Sequence, residues 1–226
     1  ISRFEKIKTH ITTTALESSK VVAHEIANLI RQKEAENKKT VLCFTSGRSP
    51  IEVFNELVKI HKEENLSFKN VIVFNLFEYY PLDISFAQSC LNQIKANLLD
   101  KIDILPENIH SINPTLNQSE IAQHCAEYER QIDECGGIDY QVLGVGGVGN
   151  IGFNEPGSQT SSQTRLILLD PRSRKEAIHF FGSIDKVPAG AITMGVNTIL
   201  KARRIALLAF GEHKSSIIKT IVEGQM

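Results

Sequence analysis

No apolar run among the 226 residues approaches the roughly 18–20 that a membrane-crossing helix needs; the longest, such as 205–210, are far shorter. Neither sign of charge dominates. Lys and Arg total 25 against 26 Asp and Glu, a net charge of −1, so there is no generally basic surface of the kind that binds nucleic acid. The opening residues carry no apolar signal core, and the expected location is cytoplasmic. The four cysteines, Cys43, Cys90, Cys125 and Cys135, form neither a C-x-x-C pair nor a metal-ligand spacing, so no metal site is expected. Cys43 lies inside an apolar run, as a buried, inert thiol would, which fits a reducing compartment. Repeats of solenoid length and low-complexity tracts are missing too. What remains is ordinary globular usage, 42% hydrophobic and 23% charged, which excludes a disordered, collagen-like or coiled-coil chain and suits one α/β domain spanning 1–226.

Along the chain, short strand-like runs alternate with helical periodicity. Helical faces are expected over 15–32, from Ile51 to Val58, and over 88–99, 121–135 and 215–222. Strands are expected over 41–44, 71–76, 139–145, 166–169, 191–194 and 205–210, with 33–39 a charged connector. Strands separated by helices of about 10–15 residues predict an open, mainly parallel, Rossmann-like sheet covered by helices on both faces. Such sheets bind ligands beyond the carboxyl ends of their strands.

Two loops stand at such ends. Thr45-Ser46-Gly47-Arg48-Ser49-Pro50 follows the first strand and opens a helix, with Ser49 as N-cap, Pro50 at the first helical position and Glu52 completing a capping box. Backbone N–H groups, two hydroxyls and the Arg48 guanidinium there favour a phosphate, although a capped turn that binds nothing uses the same residues. It is not a Walker A loop, because no Gly-Lys-Ser/Thr follows. The second segment is 143–158, LGVGGVGNIGFNEPGS. Its Gly144, Gly146 and Gly149 match G-x-G-x-x-G, but no helix opens at once and no acidic residue follows a suitable second strand, which argues against a dinucleotide. Dense glycine instead indicates a backbone that lies close to a ligand. Glu155 is the segment's one ionisable side chain, and a plain surface carboxylate is the alternative.

Taken together, FTSGRSP (44–50), FNLFEYYPL (74–82) and GNIGFNEPGS (149–158) resemble the glucosamine-6-phosphate deaminase (isomerase) family. SFKNVIVFN (67–75), LPENIH (105–110) and AITMGVNTIL (191–200) match in order and spacing, so the likeness runs from about residue 5 to 224. The related 6-phosphogluconolactonases share the phosphate loop, but their glycine-rich segment does not continue into FNEP. The resemblance implies a Rossmann-like sheet and conversion of glucosamine 6-phosphate and water to fructose 6-phosphate and ammonia, without an organic cofactor. It also implies a homo-oligomer, since members often form trimers or hexamers. By position it assigns phosphate binding to Ser46, Gly47, Arg48 and Ser49, together with Lys214; where some members have a further phosphate-binding arginine, this chain has His179.

The catalytic half departs from the family pattern. Where the family reads N-[LM]-D-E-Y, with an aspartate that shuttles a proton between C1 and C2, this chain reads Asn75-Leu76-Phe77-Glu78-Tyr79. The histidine that helps open the sugar ring is replaced by Asn150, and the residue two before it is Val148; Glu155 is retained. Phenylalanine holds no transferable proton and asparagine does not titrate usefully. At ~10²–10⁴-fold per acid–base group, independent losses amount to on the order of 10⁴–10⁸, or roughly 5–11 kcal/mol; groups in one relay are seldom additive, so this is an upper frame. The expectation is a protein that binds a hexose or hexosamine 6-phosphate with little turnover. Two alternatives stay open: a working deaminase that uses Glu155 and Glu78, and a lactonase acting on a related phosphosugar.

Overall fold

A computed structural model gives the structure, and it describes residues 6–224. Helix α1 (Ala15–Ala35) starts where Thr14 accepts a hydrogen bond from the Glu17 N–H while the Glu17 carboxylate accepts one from the Thr13 N–H. The helix continues three residues past its expected end. In that added turn Lys33 lies 2.5 Å from Asp139, so part of the expected connector is helical. Strand β1 (Thr40–Phe44) is buried throughout. Its alternate residues face opposite ways: Leu42 and Phe44 pack with α1 and with α2 (Ile51–Glu64), whereas Val41 and Cys43 pack with α4 (Ile121–Glu134). A strand covered on both faces reads as an unbroken apolar run, which is why this one was legible.

Strands β2 (Val71–Asn75), β4 (Ile109–His110), β5 (Tyr140–Gly144) and β8 (Ile205–Leu208) join β1 in a parallel sheet of order β4-β2-β1-β5-β8. This is the open, mainly parallel sheet that the sequence predicts, and it does not hold every strand. A second, antiparallel sheet of order β3-β7-β6 contains β3 (Phe77–Tyr80), β6 (Arg165–Leu168) and β7 (Gly190–Thr193). Leu76 joins the two. Its N–H donates to the Phe44 carbonyl and its carbonyl accepts from the Met194 N–H, so the chain leaves the parallel sheet at Leu76 and pairs with β7 from the next residue. Apolar patterning specifies a strand but not its pairing partner.

Asn75 fixes this branch point. Buried, it donates to the Phe77 carbonyl and accepts from the Ile112 N–H and the Tyr128 hydroxyl. Helices α3 (Cys90–Asn97), α5 (Pro171–Phe181), α6 (Val196–Leu200) and α7 (Ser215–Glu223) complete the fold. The last residues of α5 pack into a third apolar cluster, where Phe181 lies against Tyr79 and Phe86. Among the described residues no helix is long and apolar enough to cross a membrane.

Candidate active site

The loops that follow β1, β5 and β8 emerge side by side, because β5 lies between the other two strands. At about 4.8 Å per strand, the 45–50 loop and the segment carrying Lys214 are about 10 Å apart across the sheet, with the glycine-rich segment between them.

Gly47 adopts φ +93°, with open space where a Cβ would stand, and its N–H donates to Gln93. The Ser46 hydroxyl lies beside the buried Cys90 thiol, whose pKa burial pushes up. The expected capping box is absent. Pro50 occupies the flanking position of α2 and Ile51 is its first residue, which leaves Glu52 second rather than third; no side chain caps the helix. Ser49 instead faces β5, so that a Cβ built on Gly144 would come within 3.2 Å of its Oγ. Arg48 is exposed and Lys214 half-buried. Among the described residues neither is engaged in an ion pair. At β8's end Gly211 turns the chain into 212–214, and α7 follows, with Ile217 against Gly149.

The side chains at positions 77 and 150 are held firmly. The Phe77 ring meets Phe153 edge-on, with centroids 4.4 Å apart, and Phe153 also packs against Tyr79. Gly152 sits at φ +59° within van der Waals reach of Leu76 and Thr193, leaving no room for a side chain, and the next N–H, that of Phe153, donates to the Thr193 hydroxyl. Asn150 folds over Gly146, filling the space a Cβ there would take, and donates to the Gly152 carbonyl. Asn154 donates to the carbonyls of Ile151 and Met194. Glu155 accepts a 2.6 Å hydrogen bond from Ser173 on Oε1, while its Oε2 is buried with no partner among the described residues.

Glu78 points elsewhere. Only 1% exposed, it accepts the N–H groups of Tyr79, Cys90 and Leu91. Cys90 and Leu91 are the first two residues of α3, and Ser89 takes the third donor, that of Asn92. Between them the two side chains satisfy three of the four N–H groups a helix start leaves open. Burial pushes the Glu78 pKa up, and the backbone donors pull it part of the way back. His179 is exposed, with Nδ1 on the Glu176 carbonyl and its ring against Phe180.

The sequence reading missed α5. Its start was signalled by Asp170-Pro171: the Asp170 carboxylate accepts the Arg172 N–H and proline holds the first position. This helix brings Ser173 to Glu155 and Glu176 over Gly147. A groove of about 920 Å³ lies along α4 and residues 163–166, and neither the 45–50 loop nor Lys214 lines it. Among the described residues no cluster of His, Cys, Asp or Glu is arranged to hold a metal ion.

A sequence model of the family described as glucosamine-6-phosphate isomerases/6-phosphogluconolactonase matches residues 13–226. The chain belongs to this family. Among curated relatives, a glucosamine-6-phosphate deaminase of Thermoanaerobacter sp. (strain X514) is 36% identical over 220 residues, covering 97% of this chain and 85% of the relative. A putative glucosamine-6-phosphate deaminase-like protein of Bacteroides thetaiotaomicron is 49% identical over 224 residues; the chain covers 34%, about a third, of that longer protein. Among solved structures, a monomeric glucosamine-6-phosphate deaminase superposes with a TM-score of 0.91 at 34% identity, over 97% of this chain and 89% of the other. A 6-phosphogluconolactonase from Trypanosoma cruzi shares the fold, with a TM-score of 0.76 at 20% identity over 98% of this chain and 86% of the other. This member has phenylalanine at position 77 and asparagine at position 150.

Proposed function

We propose that the chain binds a hexose or hexosamine 6-phosphate at the carboxyl end of its parallel sheet and turns it over little or not at all. Phosphate recognition falls to Ser46, Gly47, Arg48 and Ser49, with Lys214 opposite; Glu155 is the retained acid. The observation that carries the reading is the Phe77 ring, packed 4.4 Å from Phe153 where a deaminase of this family has its proton-shuttling aspartate. A ring held in that way neither accepts nor returns a proton. The neighbouring carboxylate is no substitute, because Glu78 is committed to three backbone donors on the far side of the strand. Asn150 is likewise held by a backbone carbonyl.

Two measurements on the purified chain test the reading. Calorimetric titration with glucosamine 6-phosphate and fructose 6-phosphate is expected to show saturable binding, and none at millimolar ligand removes the proposal. Ammonia release from glucosamine 6-phosphate is expected to stay near background. Turnover comparable to that of a working deaminase overturns the loss of chemistry.

A further inference from the structure

Helix α5 presents two residues three positions apart, and hence on one face, to the glycine-rich segment. Ser173 donates to Glu155. Glu176 leans over Gly147 so closely that a Cβ built there would come within 2.6 Å of its Oε1. Among the described residues neither carboxylate has a cation within ion-pair distance, and Glu155 Oε2 is buried and unpartnered. The 45–50 loop and Lys214, by contrast, supply the positive groups Arg48 and Lys214. Arg48 and Lys214 thus stand on the two flanking loops at this end of the sheet, and Glu155 and Glu176 on the side of the glycine-rich segment that meets α5.

We infer that Glu176 is a specificity residue: together with Glu155 it reads a positively charged amino group on the sugar, so that the site prefers a hexosamine 6-phosphate to the corresponding hexose 6-phosphate. The inference rests on the phosphosugar reading above and goes further by naming the residue that discriminates. A carboxylate beside an ammonium forms a charge-assisted hydrogen bond that a hydroxyl in the same place does not replace. A neutral sugar offers the two carboxylates no such partner. A residue at 147 larger than glycine would push Glu176 aside.

The test is calorimetry with glucosamine 6-phosphate and glucose 6-phosphate, at a pH where the amine is protonated, on the native chain, Glu176→Gln and Gly147→Ala. Both changes suit folding, since Glu176 is exposed and Gly147 has no positive φ. Gly147→Ala displaces the carboxylate without removing it, because a flexible side-chain end can yield. The native chain is expected to bind the amino sugar about tenfold more tightly, the worth of one charge-assisted hydrogen bond. Each variant is expected to lower that ratio about threefold or more, and Glu176→Gln to do so while leaving glucose 6-phosphate affinity unchanged. Equal affinity of the native chain for both sugars, a ratio unchanged in Glu176→Gln, or an equal loss for both sugars overturns the role of Glu176 and leaves the phosphosugar reading standing. Binding of neither sugar by the native chain overturns the phosphosugar reading itself.

Discussion

Replacing Glu78 by alanine separates a structural carboxylate from a catalytic one. The side chain is 1% exposed, and Oε1 accepts from Tyr79 and Cys90 while Oε2 accepts from Leu91, at 2.9–3.1 Å. Alanine leaves three buried N–H groups without an acceptor at once. Each unsatisfied donor costs about 1–3 kcal/mol; with some relief from water entering the vacated space, the total is about 3–5 kcal/mol. For a chain of this size that corresponds to a melting temperature lower by roughly 6–15 °C. Urea unfolding followed by circular dichroism measures the loss, and calorimetry below the melting point checks that ligand affinity is kept. Glu78→Gln, which retains one acceptor oxygen, is expected to lose about 1–2 kcal/mol. The pH dependence carries a further signature. Burial holds the folded-state pKa of Glu78 above its ordinary value of 4.5, so its contribution is full below that value and is lost as pH rises through the folded-state pKa. The Gln variant lacks this decline. A Glu78→Ala protein within about 1 kcal/mol of the native chain refutes the capping role, the full cost being several-fold larger. A stable variant that loses ligand binding places Glu78 on the ligand instead.

Three further outcomes are expected. Phe77→Asp combined with Asn150→His restores an acid–base pair and is expected to raise ammonia release at least about 10²-fold over the native chain; no gain while ligand still binds shows that the defect lies elsewhere. Lys214→Ala is expected to weaken phosphosugar binding about tenfold or more by calorimetry. Arg48→Ala is expected to do so less, about two- to fivefold, and in a salt-sensitive way, because Arg48 is exposed. Gly195→Ala drives a methyl group into the Ser162 carbonyl, which already accepts the Asn197 N–H, so a loss of about 2–3 kcal/mol is expected in chemical denaturation.

Legibility from sequence followed burial. Strands β1, β2 and β5 are covered on both faces and show as apolar runs, and the amphipathic helices α1, α2 and α4 show as periodic stripes. Strand β3 was hidden because Phe77–Tyr80 continues β2 after a single residue, and only the hydrogen bonds of Leu76 divide the two. Helix α5 was hidden because its face is charged and its buried residues are few, Ala177 and Phe181. Ser49 looked like a cap because local spacing fitted one, but the side chain turned to face Gly144 across the sheet.

The amino-acid sequence alone determined the layered α/β architecture, the place of the 45–50 and 143–158 loops at strand ends, and the absence of a titrating group at positions 77 and 150. These are properties of residue type and spacing, which no packing arrangement alters. Tertiary structure decided where the remaining carboxylates point: Glu78 into the start of α3, Glu155 toward Ser173, and Glu176 over Gly147. A carboxylate's role depends on which donors reach it, and the donors of Cys90, Leu91 and Ser173 lie 12, 13 and 18 residues away along the chain, so folding alone brings them within bonding distance.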